Sequence, residues 1–181
     1  MLSTASEDTL KFVLDTLFEP SRDLHAVAIP YIREQFSNHD TETPFTYATL
    51  IQHVASLLSS LASTTAPESR ATLHAILASH PRLGAKKVES AQSRAEQAQL
   101  NAGAGAEEEA AQLAALNAEY EARFPGLRYV VFVNGRGRPA IMRDMRERIA
   151  RGDIRAEERE AIRAMVDIAL DRARKLGAVD G

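Results

Sequence analysis

One stretch of this chain, Tyr129-Val-Val-Phe-Val133, carries the β-branched and aromatic run of a strand, while its other apolar residues repeat at helical spacing. A lone strand has no neighbour for its N–H and C=O groups. The run is therefore expected to be a short, buried, extended segment near 129–133, paired weakly at most. Everything around it must then be helix. The fold class that follows is all-α, a bundle of about six to eight helices.

The helical stripes can be read one by one. Leu10, Val13, Leu14, Leu17 and Phe18 fall on one face, with Thr4 or Ser6 as cap and Pro20 as stop. Ser21 is expected to open a short helix with Leu24 and Val27 that Pro30 interrupts, since proline has no N–H and crowds the preceding turn. Tyr31, Ile32 and Phe36 continue the pattern, and Ser37 to Pro44 reads as polar loop. Tyr47, Leu50, Ile51, Val54, Leu57, Leu58 and Leu61 form the next stripe, ending between Ser63 and Pro67. A helix from Glu68 to about Ala78 should stop before His80, because Pro81 disfavours helical backbone at the residue preceding it. Another begins near Ser90 to Gln92, with a glycine cap in Asn101-Ala-Gly-Ala-Gly. Leu113, Leu116, Tyr120 and Phe124 define a helix from Glu107 to Phe124. Asn134-Gly-Arg-Gly-Arg-Pro139 turns the chain into two last helices, marked by Ile141, Met142, Met145 and Ile149, then by Ile162, Met165, Val166, Ala169, Ala173 and Leu176.

At 181 residues the chain fits one domain, 1–181, with a sizeable core. Lys+Arg 22 against Asp+Glu 25 gives a net charge of −3, without the basic surplus that nucleic-acid binding needs. There is no Trp for base stacking. There is no Cys, which removes disulfides, thiolate metal sites and a thiol nucleophile. The longest stretch free of charged residues, Thr43 to Pro67, is apolar on one side only and is not a membrane span. No secretory leader or C-terminal peroxisomal address is read, so the expected location is intracellular, cytoplasmic or peroxisomal.

His25, His39, His53, His74 and His80 form no HxxxH or HExxH pattern, which disfavours a metal site. His80 stands apart, fixed between a helix end and Pro81. The helix dipole there should favour imidazolium, making it either a C-cap or a proton carrier. Ser93-Arg-Ala-Glu96-Gln97 reads as a capping box, or as a helix start that offers polar groups to a small anion. Asn117, on an apolar face, is expected to bridge to loop backbone. Arg136 or Arg138 could meet a carboxylate or lie in a solvated turn. Glu107 to Glu109 and Glu157 to Glu160 read as solvated helix faces, and Arg151-Gly152-Asp153 as a chance tripeptide.

Taken in order, His80-Pro81-Arg-Leu83-Gly84, Ser93-x-x-Glu96-Gln97, Leu116-Asn117-x-x-Tyr120-x-x-Arg123-Phe124 and the apolar run after them resemble the OHCU decarboxylase family, from Phe12 to about Leu176. The resemblance implies an all-α, cofactor-free and often dimeric enzyme. Its reaction converts 2-oxo-4-hydroxy-4-carboxy-5-ureidoimidazoline to S-allantoin in urate breakdown. It also implies catalytic roles for His80 and Glu96, and substrate contacts from Pro81 through its backbone, Ser93 and Gln97. The segment Val130 to Asn134, with Val131 and Val133, should line the pocket. The expected partners are a small-molecule substrate and a second copy of the chain, with neither nucleic acid nor membrane. Two departures stand out. The stretch between His80 and Ser93 is shorter than in many members, and Asn134 stands where many carry arginine, leaving Arg136 or Arg138 to supply the charge. If none does, the alternative is a non-catalytic helical interaction module that keeps the scaffold.

Overall fold

The computed structural model describes residues 5–38, 46–84, 91–98 and 106–177. Among these residues there are eight helices and no strand: α1 (Glu7–Phe18), α2 (Arg22–Asn38), α3 (Tyr47–Ser63), α4 (Pro67–Leu77), α5 (Ala91–Ala98), α6 (Ala106–Arg123), α7 (Arg138–Arg151) and α8 (Ile154–Lys175). The all-α expectation holds. None of these helices is long and apolar enough to cross a membrane.

Most boundaries follow local chemistry. Ser6 caps α1 by accepting from the Thr9 amide at 3.2 Å. Pro67 opens α4 at a position whose N–H would be unsatisfied anyway. Asp153 caps α8 through the amides of Arg155 (2.9 Å) and Ala156 (3.1 Å). The Arg-Gly-Asp tripeptide is thus a helix junction, with Gly152 the left-handed C-cap of α7.

Two expectations about the first third are corrected. Pro30 lies inside α2, which runs unbroken past Ser37 to Asn38. An internal proline costs about 3 kcal/mol. Leu24, Ala28, Ile29 and Ile32 are buried along the same helix. Burying a large aliphatic side chain contributes roughly 1.5–3 kcal/mol, so continuity of the buried face outweighs the missing hydrogen bond. The glycine cap read after Asn101 lies outside the described residues.

The last helix organises the bundle, packing against α1, α3 and α4, while α6 packs on α7. Glu157 and Glu158, expected in solvent, are fully buried on α8. Glu157 accepts from Tyr120 Oη (2.6 Å), Arg148 Nε (2.8 Å) and Arg151 Nη2 (2.6 Å), tying α8 to α6 and α7. Glu158 meets Arg70 and His74 of α4, both at 2.7 Å. A buried carboxylate is tolerable only when paired and hydrogen-bonded in this way.

The 129–133 run belongs to no helix or sheet; Tyr129 and Val130 are buried as expected, but Val131, Phe132 and Val133 are only half-buried. Guanidinium groups take the place of a neighbouring strand. Val130 O accepts from Arg148 Nη1 (3.2 Å), Phe132 O from Arg136 Nη2 (2.5 Å) and Val133 O from Arg136 Nε (3.2 Å). The run ends in a tight turn closed by Arg136 N–H to Val133 O at 2.9 Å, with Asn134 at φ 46° and Gly135 at φ 73°. Two successive positive φ angles are what an Asn-Gly hairpin-type turn supplies.

Candidate active site

A cavity of about 480 Å³ opens where four parts of the chain converge. These are the turn after α4, the start of α5, the extended segment and the C-terminal half of α8. Its walls are mostly apolar, from Pro81, Leu83, Val130, Val131, Val133 and Ile168. The polar groups are His80, Ser93, Gln97, Asn134 and Arg172, with Asp171 and Lys175 beside them. That mix, with a few convergent polar groups in an apolar hollow, suits a small polar heterocycle.

Seven residues singled out from the sequence therefore meet at one place: His80, Pro81, Ser93, Gln97, Val131, Val133 and Asn134. Glu96 belongs to α5, but its side chain lies outside the described residues. Arg136 does not join them. It is exposed, turned back onto the carbonyls of its own segment, and lines a second, smaller cavity of about 290 Å³. Arg138 is buried near Glu109 at 3.7 Å and does not line the larger cavity. The guanidinium at the site comes instead from Arg172 on α8. The run on which Arg172 sits could be read from the sequence as a helix stripe, but nothing local marked this arginine as pointing inward.

His80 is the main correction in electrostatics. The C-cap of α4 is Ala78, so His80 does not cap the helix. Its side chain is buried, and Nε2 has no hydrogen-bond partner among the described residues. Burial pushes the imidazole down to about 4; the Glu19 carboxylate opposes that fall and the Arg172 guanidinium adds to it. Desolvation outweighs any dipole that would favour the cation. The ring is neutral at physiological pH. A buried, unpaired imidazole nitrogen beside a cavity is a group suited to a ligand's proton or hydroxyl.

The helix start at α5 is also used differently from a capping box. The helix begins at Ala91, which puts Ser93 inside its first turn. The Ser93 hydroxyl donates to Glu19 Oε1 at 2.5 Å. Gln97 supports the site from below, its Oε1 accepting from the Gly84 amide at 2.9 Å. Asn117 donates to Leu83 O at 3.0 Å, the loop bridge its position suggested. Gly84 sits at φ 75°, where L side chains are strained, and a Cβ there would also press on Leu113 Cδ2 at 2.8 Å.

Compared with known protein families, residues 3–174 match OHCU decarboxylase. The chain belongs to the OHCU decarboxylase family. No curated protein matches it. Membership implies a decarboxylase of urate degradation acting on a small molecule. The match takes in the cavity-lining residues from His80 to Arg172 on α8.

Proposed function

We propose that this OHCU decarboxylase family member converts 2-oxo-4-hydroxy-4-carboxy-5-ureidoimidazoline to S-allantoin and carbon dioxide without a cofactor. The observation that carries the reading is the convergence of a neutral, buried imidazole with Ser93 and Arg172 on one apolar cavity. In this substrate the adjacent ring C=N accepts the electron pair released when the bond to the carboxylate carbon breaks. No external electron sink is required.

The protein then has three tasks: orientation, partial desolvation and proton handling. Ser93, Gln97 and the Pro81 backbone orient the ring and ureido group, and Glu96 accepts a hydrogen bond from the ring hydroxyl. As carbon dioxide leaves, the pair enters the ring and its nitrogen takes a proton from solvent. His80, neutral, then removes the proton of the resulting enol hydroxyl and returns it to the neighbouring ring carbon. That carbon becomes the stereocentre of allantoin, and attack from the His80 side sets its hand. The alternative of a silent scaffold rests on Asn134; a guanidinium from Arg172 on the same cavity supports the catalytic reading.

The test supplies freshly formed urate-oxidation product and follows chiral allantoin by circular dichroism. The wild type should accelerate S-allantoin formation, and His80→Ala and Glu96→Ala should each lose on the order of a hundredfold in turnover with unchanged helical signal. Wild-type formation of racemic product at the spontaneous rate would remove the assignment. The homodimer implied by the family is part of the proposal, and sedimentation equilibrium reads it directly.

A further inference from the structure

Glu19 matches no motif and does not line the cavity, yet it holds two residues that do. It is the C-cap of α1, with φ 81° and ψ 150°, and its side chain is 3% exposed. That backbone region belongs almost solely to glycine, and another residue stays there only when its surroundings over-determine it. The surroundings here are the site. Oε1 of Glu19 accepts from Ser93 Oγ at 2.5 Å and from Arg172 Nη2 at 2.6 Å, and that Nη2 is also 3.2 Å from Ser93 Oγ. The other terminal nitrogen of Arg172 donates to the carbonyls of Thr16 and Leu17, both at 3.3 Å, at the end of α1.

We propose that Glu19 is a positioning residue of the active site: from behind the cavity wall, one carboxylate oxygen fixes the Ser93 hydroxyl and the Arg172 guanidinium in a single arrangement for the substrate's polar groups. A buried guanidinium without a counter-charge would be expelled or reorient. A neutral residue at 19 could not compensate it, and a residue without a side chain could not reach it. A site held within a fraction of an ångström by such support is what efficient orientation demands. The kinetic part of this inference rests on the decarboxylase reading.

Four variants test it in the full-length protein: two at Glu19, Ser93→Ala alone, and a double variant. Glu19→Gln keeps the shape and removes the charge. Glu19→Asp keeps the charge and draws the carboxylate back by one methylene, and covers the case in which the glutamine variant fails to fold. Either is also combined with Ser93→Ala. We expect each folded Glu19 variant to lose about tenfold or more in kcat/KM with an unchanged far-ultraviolet spectrum. The double variant should lose no more than the worse single, because the two residues act as a unit. Turnover within about twofold of wild type in Glu19→Asp, or a double loss equal to the product of the single losses, overturns the inference. An activity-free reading comes from the nitrogen-15 side-chain resonances of Arg172. They should show a restrained guanidinium in wild type and faster rotation in the variants. A freely rotating Arg172 in wild type also overturns it. Wild type with an ordered, Glu19-dependent Arg172 but no turnover would instead sink the decarboxylase assignment and leave this role standing.

Discussion

His80 shows how little of a residue's chemistry is set by its immediate sequence. The pair His80-Pro81 fixed where the ring begins, just beyond a helix end. Its charge state was decided by burial, which lowers the imidazole to about 4 against the opposing pull of the Glu19 carboxylate and with a smaller push from Arg172 on α8. The consequence for stability has a definite sign. An unfolded histidine titrates near 6.5, so between about pH 6.5 and about pH 4 the unfolded chain binds the proton that folded His80 refuses. Folding stability should therefore fall as pH drops through that window, by about 3 kcal/mol at most from this group. Urea unfolding of wild type and His80→Ala at pH 7 and pH 4.5 checks it: the alanine variant should lack this component of the slope. The same neutral ring predicts a kcat/KM that is flat on the acid side until about pH 4, where the imidazole gains its proton.

At the scale of elements, α8 carries the largest difference between what the pattern suggests and what the fold does. Its apolar residues mark a helix, and they are buried as the period requires. Its acidic run looks solvated by composition, yet Glu157 and Glu158 are fully enclosed by partners from α4, α6 and α7. Cutting one side of such a pair removes the closest counter-charge of the other; without Glu157, Arg148 would keep only Asp144 and Glu160 among the described residues, both at 3.7 Å. Glu157→Ala should cost about 3–5 kcal/mol in urea unfolding, since Arg148 would remain buried against Tyr120 and Tyr129. A loss below about 1 kcal/mol would mean that Arg148 escapes to solvent. Helix α2 allows the opposite experiment. Pro30 is exposed and sits mid-helix, so Pro30→Ala restores a donor without disturbing the core. Its melting temperature should rise by several degrees, as about 1–3 kcal/mol of helix strain is relieved.

For the whole molecule, acid sensitivity gathers from sites far apart in sequence. Burial raises the carboxyls of Glu19 and Glu157, but hydrogen bonds and charge from Ser93 and Arg172, and from Arg148, Tyr120 and Arg151, outweigh it and hold both below the ordinary value. Carboxylates depressed in the folded state stabilise it above their unfolded value and release that stability as pH falls through the folded one. A second loss should thus begin below about pH 4.5, at the lower end of the His80 window, and continue to more acid pH. A fluorescence or circular-dichroism acid titration should resolve the two stages, with Glu157→Gln removing part of the second. Loss of all stability in one step near neutrality would contradict both assignments.

The sequence by itself determined most of the helices, though not the continuity of α2 through Pro30, because a 3.6-residue period and its caps are written within a dozen neighbouring residues. It also marked the one β-like run as a lone segment paired weakly at most, and through its resemblance to a family it named His80, Pro81, Ser93 and Gln97 as candidates for one site. Only the tertiary structure decided which arginine reaches the cavity, that Glu19 stands behind it, that the acidic face of α8 is interior and that His80 is neutral. Those outcomes depend on contacts between residues separated by up to 156 positions, as in the pair Arg172 and Thr16. Desolvation and pairing at that range come from how helices stack, and no local pattern along a single helix encodes it.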